Sequence, residues 1–203
     1  IAKESFASDC HEFDIRGIDH IVFVGMGGSG SIGDVVSAIL SKDDIHVSNV
    51  KGYHLPKTVD SNSLIIATSI SGNTTETLTV LDNAQKTSAK IAAFSSGGIM
   101  KHFCENNNLF YQEIPMIHSP RASFPKYLFS ILNVFKEVLP IKDVDIKKSI
   151  SDLGVTKNNI DSIKIQFNQI CIEEMNTFIQ KEITPKNLKR GNKVVNKNQQ
   201  SNK

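Results

Sequence analysis

The sequence predicts an α/β protein: a three-layer αβα sandwich around a roughly five-stranded parallel sheet, followed by C-terminal helices. Three observations predict it. Short apolar, β-branched-rich runs recur along the first 115 residues, several of them ending in Gly/Ser-rich turns. The turns are followed by segments with helical hydrophobic spacing. The connections are short, and alternating strands and helices imply a parallel sheet covered on both faces.

The elements follow in order. "IDHIVFV" (18–24) reads as a buried strand bounded by glycines. After the glycine turn, Ile32, Val35, Val36, Ile39 and Leu40 fall at i, i+3, i+4, i+7 and i+8, one face of a helix. "IHVSNVKGY" (45–53) is a weaker strand. "SLIIATSI" (63–70) reads as a strand buried on both faces, "SGNT" (71–74) as a turn, and "TETLTVLDNAQK" (75–86) as a helix with Leu78, Leu81 and Ala84 inward. Asn73 followed three residues later by Glu76 is an N-capping pattern for that helix. "AKIAAFSSG" (89–97), "IMKHFCEN" (99–106) and "LFYQEIP" (109–115) complete a strand, a helix and a strand.

Beyond Pro120 the pattern turns helical. Leu128, Ile131, Leu132, Phe135, Val138 and Leu139 mark an amphipathic helix stopped by Pro140. A short helix is expected over 143–154. A longer one, carrying Ile160, Ile163, Phe167, Ile170, Met175, Phe178 and Ile179, closes near Pro185. The domain organisation is therefore read as an α/β domain over 1–150, a helical extension over 151–184 and a basic, disordered tail over 185–203.

Composition narrows the function classes. Hydrophobic content of 39% with 22% charged residues is ordinary for a soluble globular protein. No apolar run approaches the roughly 18–20 residues of a membrane-spanning helix. The net charge of +2 hides an asymmetry. Residues 185–203 hold six basic side chains and no acid, leaving 17 basic against 21 acidic residues in 1–184. That Asn/Gln-rich tail is expected to be solvated rather than bound to nucleic acid. Cys10, Cys104 and Cys171 are far apart and show no metal-ligand spacing, so free thiols in a reducing cytoplasm, and no bound metal, are expected. The chain opens on Ile1 rather than Met, which suggests a fragment or a processed chain.

Two turns carry the chemistry. "GMGGSGSIGD" (25–34) holds Gly25-x-Gly27-x-x-Gly30 but lacks the Gly-Lys-Ser/Thr ending of a nucleoside-triphosphate loop. Its glycines let main-chain N–H groups approach an anion, and the helix that follows adds its positive end. In "SISGNTTE" (69–76), Ser69, Ser71 and Thr74 are hydroxyl donors around Gly72 at a second helix start. Each alone is an ordinary capping residue. Together, on one sheet edge, they suit a phosphate dianion. A dinucleotide site needs an acidic residue about 20 residues past the glycines, and no Asp or Glu lies between Ile45 and Val59. Lys51 could serve a 2′-phosphate there, which keeps an NADP-binding Rossmann domain as a lesser alternative.

"GMGGSGSIGD", "SISGNTTET" and "HSPRASFP" (118–125) together resemble the SIS (sugar isomerase) domain family, and most closely the archaeal-type bifunctional phosphoglucose/phosphomannose isomerases. The resemblance covers roughly residues 10–150, corresponding to an N-terminal SIS domain, and implies a flavodoxin-like fold. It implies that Ser69, Ser71 and Thr74 hold a sugar phosphate, that Gly28 and Ser29 contact the sugar, and that Arg121 lies by the C1–C2 oxygens to stabilise an enediolate. The implied reaction interconverts glucose 6-phosphate or mannose 6-phosphate with fructose 6-phosphate, without metal or nucleotide cofactor, in a homodimer. The glutamate base, histidine and lysine of those isomerases come from a second SIS domain that this sequence does not match. Glu173, Glu174 and Glu182 read as the solvated face of a helix. Full activity in this chain alone is therefore not expected, and a non-catalytic module sensing a phosphosugar is the alternative.

Overall fold

The computed structural model describes residues 2–6, 13, 16–41, 43–136 and 142–182. Five parallel strands, β1 (His20–Val24), β2 (His46–Val50), β3 (Ser63–Ser69), β4 (Lys90–Ser95) and β5 (Phe110–Glu113), form one sheet in the order β2-β1-β3-β4-β5. β1 pairs with β2 on one side, His20 opposite His46, and with β3 on the other, His20 opposite Ser63. The chain leaves β1 toward one edge and then returns to build the other half from β3. The β1/β3 boundary is thus the topological switch point, where crossovers diverge to opposite faces and open a crevice at the carboxyl ends.

Side chains alternate across the strands, and in the three inner strands β1, β3 and β4 nearly all of both sets are buried, whereas the edge strands β2 and β5 are partly exposed. Val22, Val24, Ile65, Ala67, Ile91 and Ala93 meet Val80, Leu81 and Ala84 of α3 (Thr75–Ala84) and Met100 and Cys104 of α4 (Gly98–Asn106). The other face carries Phe23 and Phe94. There α2 (Gly28–Leu40) comes so close that a Cβ on Gly33 would stand 2.6 Å from the Phe23 Cβ. α5 (Phe124–Val134) is followed by Phe135, whose ring centroid lies 6.1 Å from that of Phe94. Two helices on each face make the three layers. α1 (Ala2–Phe6) packs against α5.

Several elements differ from the sequence reading. Ile32, Val36 and Leu40 of α2 are buried, but Val35 and Ile39 are 37% and 38% exposed, so the inward stripe is narrower than the apolar stripe. α5 begins with Pro125 in its first turn, where the missing N–H is tolerated, and ends at Val134. Val138, Leu139 and Pro140 lie outside the described residues. Asn73 does not cap α3; its side chain is engaged at α4 instead.

The chain divides into two compact units, Ile1–Lys147 and Lys148–Lys203. The described part of the second is one element, the body of α6 (Asp143–Glu182). The two expected helices are continuous through Gly154. A single helical glycine costs only about 1 kcal/mol relative to Ala, too little to break a helix whose flanks both propagate. The described side chains from Ser151 to Thr177 are exposed, among them Leu153, Ile160, Ile163, Ile170 and Met175. The closing at Pro185 and the tail over 185–203 lie outside the described residues. Among those described, no helix is long and apolar enough to cross a membrane.

Candidate functional site

The glycine turn and the hydroxyl-rich loop leave β1 and β3, the two strands at the switch point. Gly27 precedes α2 with φ +54°, a conformation glycine adopts without steric cost. The turn closes tightly behind it, since a Cβ on Gly25 would stand 3.0 Å from the Thr68 carbonyl oxygen and one on Gly30 would stand 2.6 Å from that of Gly25. In front, a Cβ on Gly27 or Gly28 would meet no atom within 4 Å among the described residues beyond the adjoining chain and helix backbone. The motif therefore has a packed side formed by Gly25 and Gly30 and an open side formed by Gly27 and Gly28.

Ser29, half-buried in the first turn of α2, accepts the Ile70 N–H on its hydroxyl oxygen at 3.4 Å. In the second loop Ser69, only 1% exposed, has its hydroxyl 2.8 Å from that of Thr74 and accepts the Gly72 N–H at 3.1 Å. The exposed Ser71 accepts the Asn73 N–H at 3.3 Å. Thr74 is the N-cap residue of α3, yet its side chain makes no cap hydrogen bond to that helix start. The positive end of α3 thus stands beside three hydroxyls, in an arrangement that can donate to an anion. Of the expected residues, Gly28, Ser29, Ser69, Ser71 and Thr74 are brought to one sheet edge.

Arg121 lies in the turn between β5 and α5 and is exposed. Among the described residues no hydrogen bond links it to the hydroxyl loop. Its turn is pinned nonetheless. The Ser123 hydroxyl donates to the Ile117 and Ser119 carbonyls and accepts the Ile117 N–H at 2.8 Å. Fully buried Tyr127 donates to the Ile114 carbonyl at 2.7 Å and lies 3.5 Å from that of Ile70, so α5 is tied to the end of β3 as well as to β5. Burial pushes the Tyr127 hydroxyl well above the usual tyrosine range, which keeps it a neutral donor.

Three supports were not legible in the sequence. Asn73, expected to cap α3, accepts the Ile99 N–H of α4 at 3.0 Å. Ser96 donates to the Ile70 carbonyl at 2.6 Å, stitching the β4 loop to the β3 loop. Lys51, considered for a 2′-phosphate, is ion-paired with Asp34 at 2.6 Å, and Asn49 donates to the other Asp34 oxygen at 3.4 Å. The last residue of the glycine motif therefore occupies the cation that a dinucleotide phosphate would use. Among the described residues, no group of three or more His, Cys, Asp or Glu could hold a metal ion. Glu173 and Glu174 are exposed on α6, where Gln169 donates to Glu173 at 3.0 Å.

Comparison with known proteins bears on the family and the fold. The SIS domain family model matches residues 14–109. A bifunctional phosphoglucose/phosphomannose isomerase of Caldicellulosiruptor bescii is 37% identical over 142 residues, covering 67% of this chain and 42% of its own length. One from Thermoplasma acidophilum is 37% identical over 143 residues, covering 69% and 43%. The chain thus spans about two fifths of the length of these relatives. Among solved structures, a phosphosugar isomerase assigned in Clostridium difficile superposes with a TM-score of 0.53 at 15% identity, over 82% of this chain and 51% of that one, which speaks to the fold.

Proposed function

Residues 14–109 match the SIS domain family model, and on that premise we propose that the chain binds a phosphorylated hexose at the carboxyl edge of its sheet. The observation that carries the proposal is the meeting of two loops at the β1/β3 switch point, one open over Gly28 and one lined by Ser69, Ser71 and Thr74. In this reading the hydroxyls and the uncapped start of α3 take the phosphate. Hydroxyls and amides suit this task because they can stay hydrogen-bonded to a dianion without changing protonation state. Gly28 leaves room for the sugar, and Ser29 lies between sugar and phosphate loop.

The reaction we assign at family level is aldose–ketose isomerisation of glucose 6-phosphate or mannose 6-phosphate with fructose 6-phosphate. A base removes the C2 proton of the open-chain aldose, the electron pair forms the C1–C2 enediolate, and negative charge develops on O1. Transfer of the O2 hydroxyl proton to O1 and return of the carbon-bound proton to C1 give the ketose, with C2 now the carbonyl carbon. A guanidinium beside those oxygens stabilises the charge, and Arg121 is the residue we assign to that task. It stands near the N-terminal, positive end of α5, an unfavourable place for a cation without an anionic partner, which supports an anion nearby. The proton-transfer groups of the similar isomerases have no match in this sequence, so binding by this chain alone is expected to exceed its turnover.

We further assign a cytoplasmic location, from the free-thiol reading, and a homodimer; the exposed apolar residues of α6 support self-association. Residues 1–150 would be the sugar-phosphate domain and 151–184 a helical extension standing where the similar isomerases continue. Calorimetric titration with fructose 6-phosphate, 5-phosphoarabinonate and NADPH tests the binding proposal. Binding of the first two and not the third is expected. Tight binding of NADPH with no sugar-phosphate binding would overturn it. A coupled isomerase assay then separates an enzyme from a phosphosugar-sensing module.

A further inference from the structure

Two helices, α3 and α4, start side by side where β3 and β4 end, and both offer a positive N-terminal end to that edge. Their starts are treated differently. At α4 the side-chain Oδ1 of Asn73 accepts the Ile99 N–H at 3.0 Å, and the Gly72 backbone carbonyl accepts the Met100 N–H at 2.9 Å. The β3 loop thus reaches across and fills the start of α4 with its own acceptors. At α3 the N-cap residue Thr74 makes no side-chain cap hydrogen bond. Residues 71–73 and 97–98 interlock at this crossing. A Cβ on Gly72 would overlap the Gly97 carbonyl oxygen, and one on Gly98 would stand 2.6 Å from Asn73 Oδ1 and 2.7 Å from the Ser71 carbonyl oxygen. Asn73 also lies between Ser71 and Thr74, two of the three residues whose hydroxyls are assigned to phosphate, and its own N–H is accepted by Ser71 at 3.3 Å.

We propose that Asn73 is a positioning residue for the phosphate seat: by spending its side chain on the Ile99 amide of α4 it holds the Ser71–Thr74 loop in shape and leaves the start of α3 as the anion-binding end. The inference rests on the phosphate reading of Ser69, Ser71 and Thr74, and it assigns Asn73 no contact with the ligand. Such a role has a thermodynamic signature. If the Asn73–Ile99 bond tightens phosphate binding by some factor, phosphate binding must strengthen that bond by the same factor. Its solvent-exposed setting keeps the factor modest, on the order of three- to tenfold.

The test uses the full chain with fructose 6-phosphate and, separately, inorganic phosphate. Asn73→Ala is expected to weaken both about three- to tenfold. Ile99→Pro removes the same bond from the donor side, at an exposed residue in the first turn of α4 where proline is tolerated. It is expected to give the same loss, and the double variant no further loss. Amide hydrogen exchange supplies a readout that survives a poorly folded variant: in the unsubstituted protein, saturating fructose 6-phosphate should slow exchange at Ile99. Weakened binding in Asn73→Ala with unchanged binding in a folded Ile99→Pro would mean that Asn73 touches the ligand directly, and the positioning role would be wrong. Unchanged Ile99 exchange on ligand binding would overturn it too. If the unsubstituted protein binds neither ligand, the phosphate reading itself fails, an outcome distinct from both.

Discussion

The Ser29 hydroxyl accepts the Ile70 amide hydrogen at 3.4 Å, across 41 residues of chain. That bond joins the glycine turn after β1 to the hydroxyl loop after β3, two segments with no local reason to meet. It exists because the sheet order places β3, and not β2, on that side of β1's carboxyl end. The site proposed here is a consequence of that adjacency.

Ser69 and Ser71 should separate fold from ligand. Ser69 is buried and meets both the Thr74 hydroxyl and the Gly72 N–H. Ser69→Ala is therefore expected to cost about 1–3 kcal/mol of stability as well as phosphate affinity. Exposed Ser71→Ala should change stability by less than about 0.5 kcal/mol while weakening fructose 6-phosphate binding several-fold. Urea denaturation with calorimetry checks both, and equal stability losses would contradict the burial argument.

Two glycines should respond oppositely. Gly72→Ala places a Cβ against the Gly97 carbonyl at φ +70° and is expected to destabilise by more than about 2 kcal/mol. Gly28→Ala meets open space in the first turn of a helix, so stability should hold or rise slightly. Its expected effect is on the sugar, seen as weaker binding of fructose 6-phosphate with inorganic phosphate unaffected. If Gly28→Ala binds the sugar phosphate normally, the glycine turn does not face it.

Arg121 is exposed, and its substitution should leave the melting temperature within about a degree or two. If it faces the C1–C2 oxygens, Arg121→Ala will weaken 5-phosphoarabinonate, which carries charge at that end, by roughly tenfold or more, and fructose 6-phosphate far less. Equal weakening of the two would place Arg121 at the phosphate, or at neither end of the sugar.

His20 predicts a pH dependence at the opposite edge of the sheet. It is buried at the start of β1, with Nε2 3.0 Å from the Ser48 hydroxyl, Nδ1 3.3 Å from that of Ser63, and the His46 ring 4.6 Å away. Burial first, and then His46, lower its pKa, against raising contributions from the Thr58 backbone, Asp60 and Asp19. The unfolded chain then binds the proton more readily than the folded one. Stability should be fully present above about pH 6.5 and fall as the pH drops below that value. His20→Gln should flatten the slope between pH 7.5 and 5.5 in urea denaturation. An unchanged slope would assign it to other groups.

The exposed apolar side chains of α6 predict self-association. Ile163→Asp with Ile170→Asp should shift the chain to a lower sedimentation coefficient without loss of the α/β unit's stability. A concentration-independent monomer before substitution would sink the homodimer assignment.

The sequence by itself determined the element types from residue 18 to 115; the short helix α1 before them was not expected. Val, Ile and Phe runs suit a pleated, buried strand and Gly and Ser bound them, and β3 is buried throughout, as its apolar Leu64–Ala67 stretch implies. The two motifs and the residues brought to one edge, Gly28, Ser29, Ser69, Ser71 and Thr74, were also legible, because turn chemistry is local. What only the tertiary structure decided was partnership. Asn73 could have capped α3 by its spacing to Glu76, but Thr74 takes the N-cap position and the Asn73 side chain accepts the Ile99 N–H, so it serves α4. Lys51 could have met a phosphate, but β2 places it beside Asp34. Val35 and Ile39 belong to the apolar stripe of α2, yet packing against β1 and α5 covers only part of that stripe. A side chain's capacity to bond is written in its chemistry; which partner takes it depends on distances that only the assembled sheet sets.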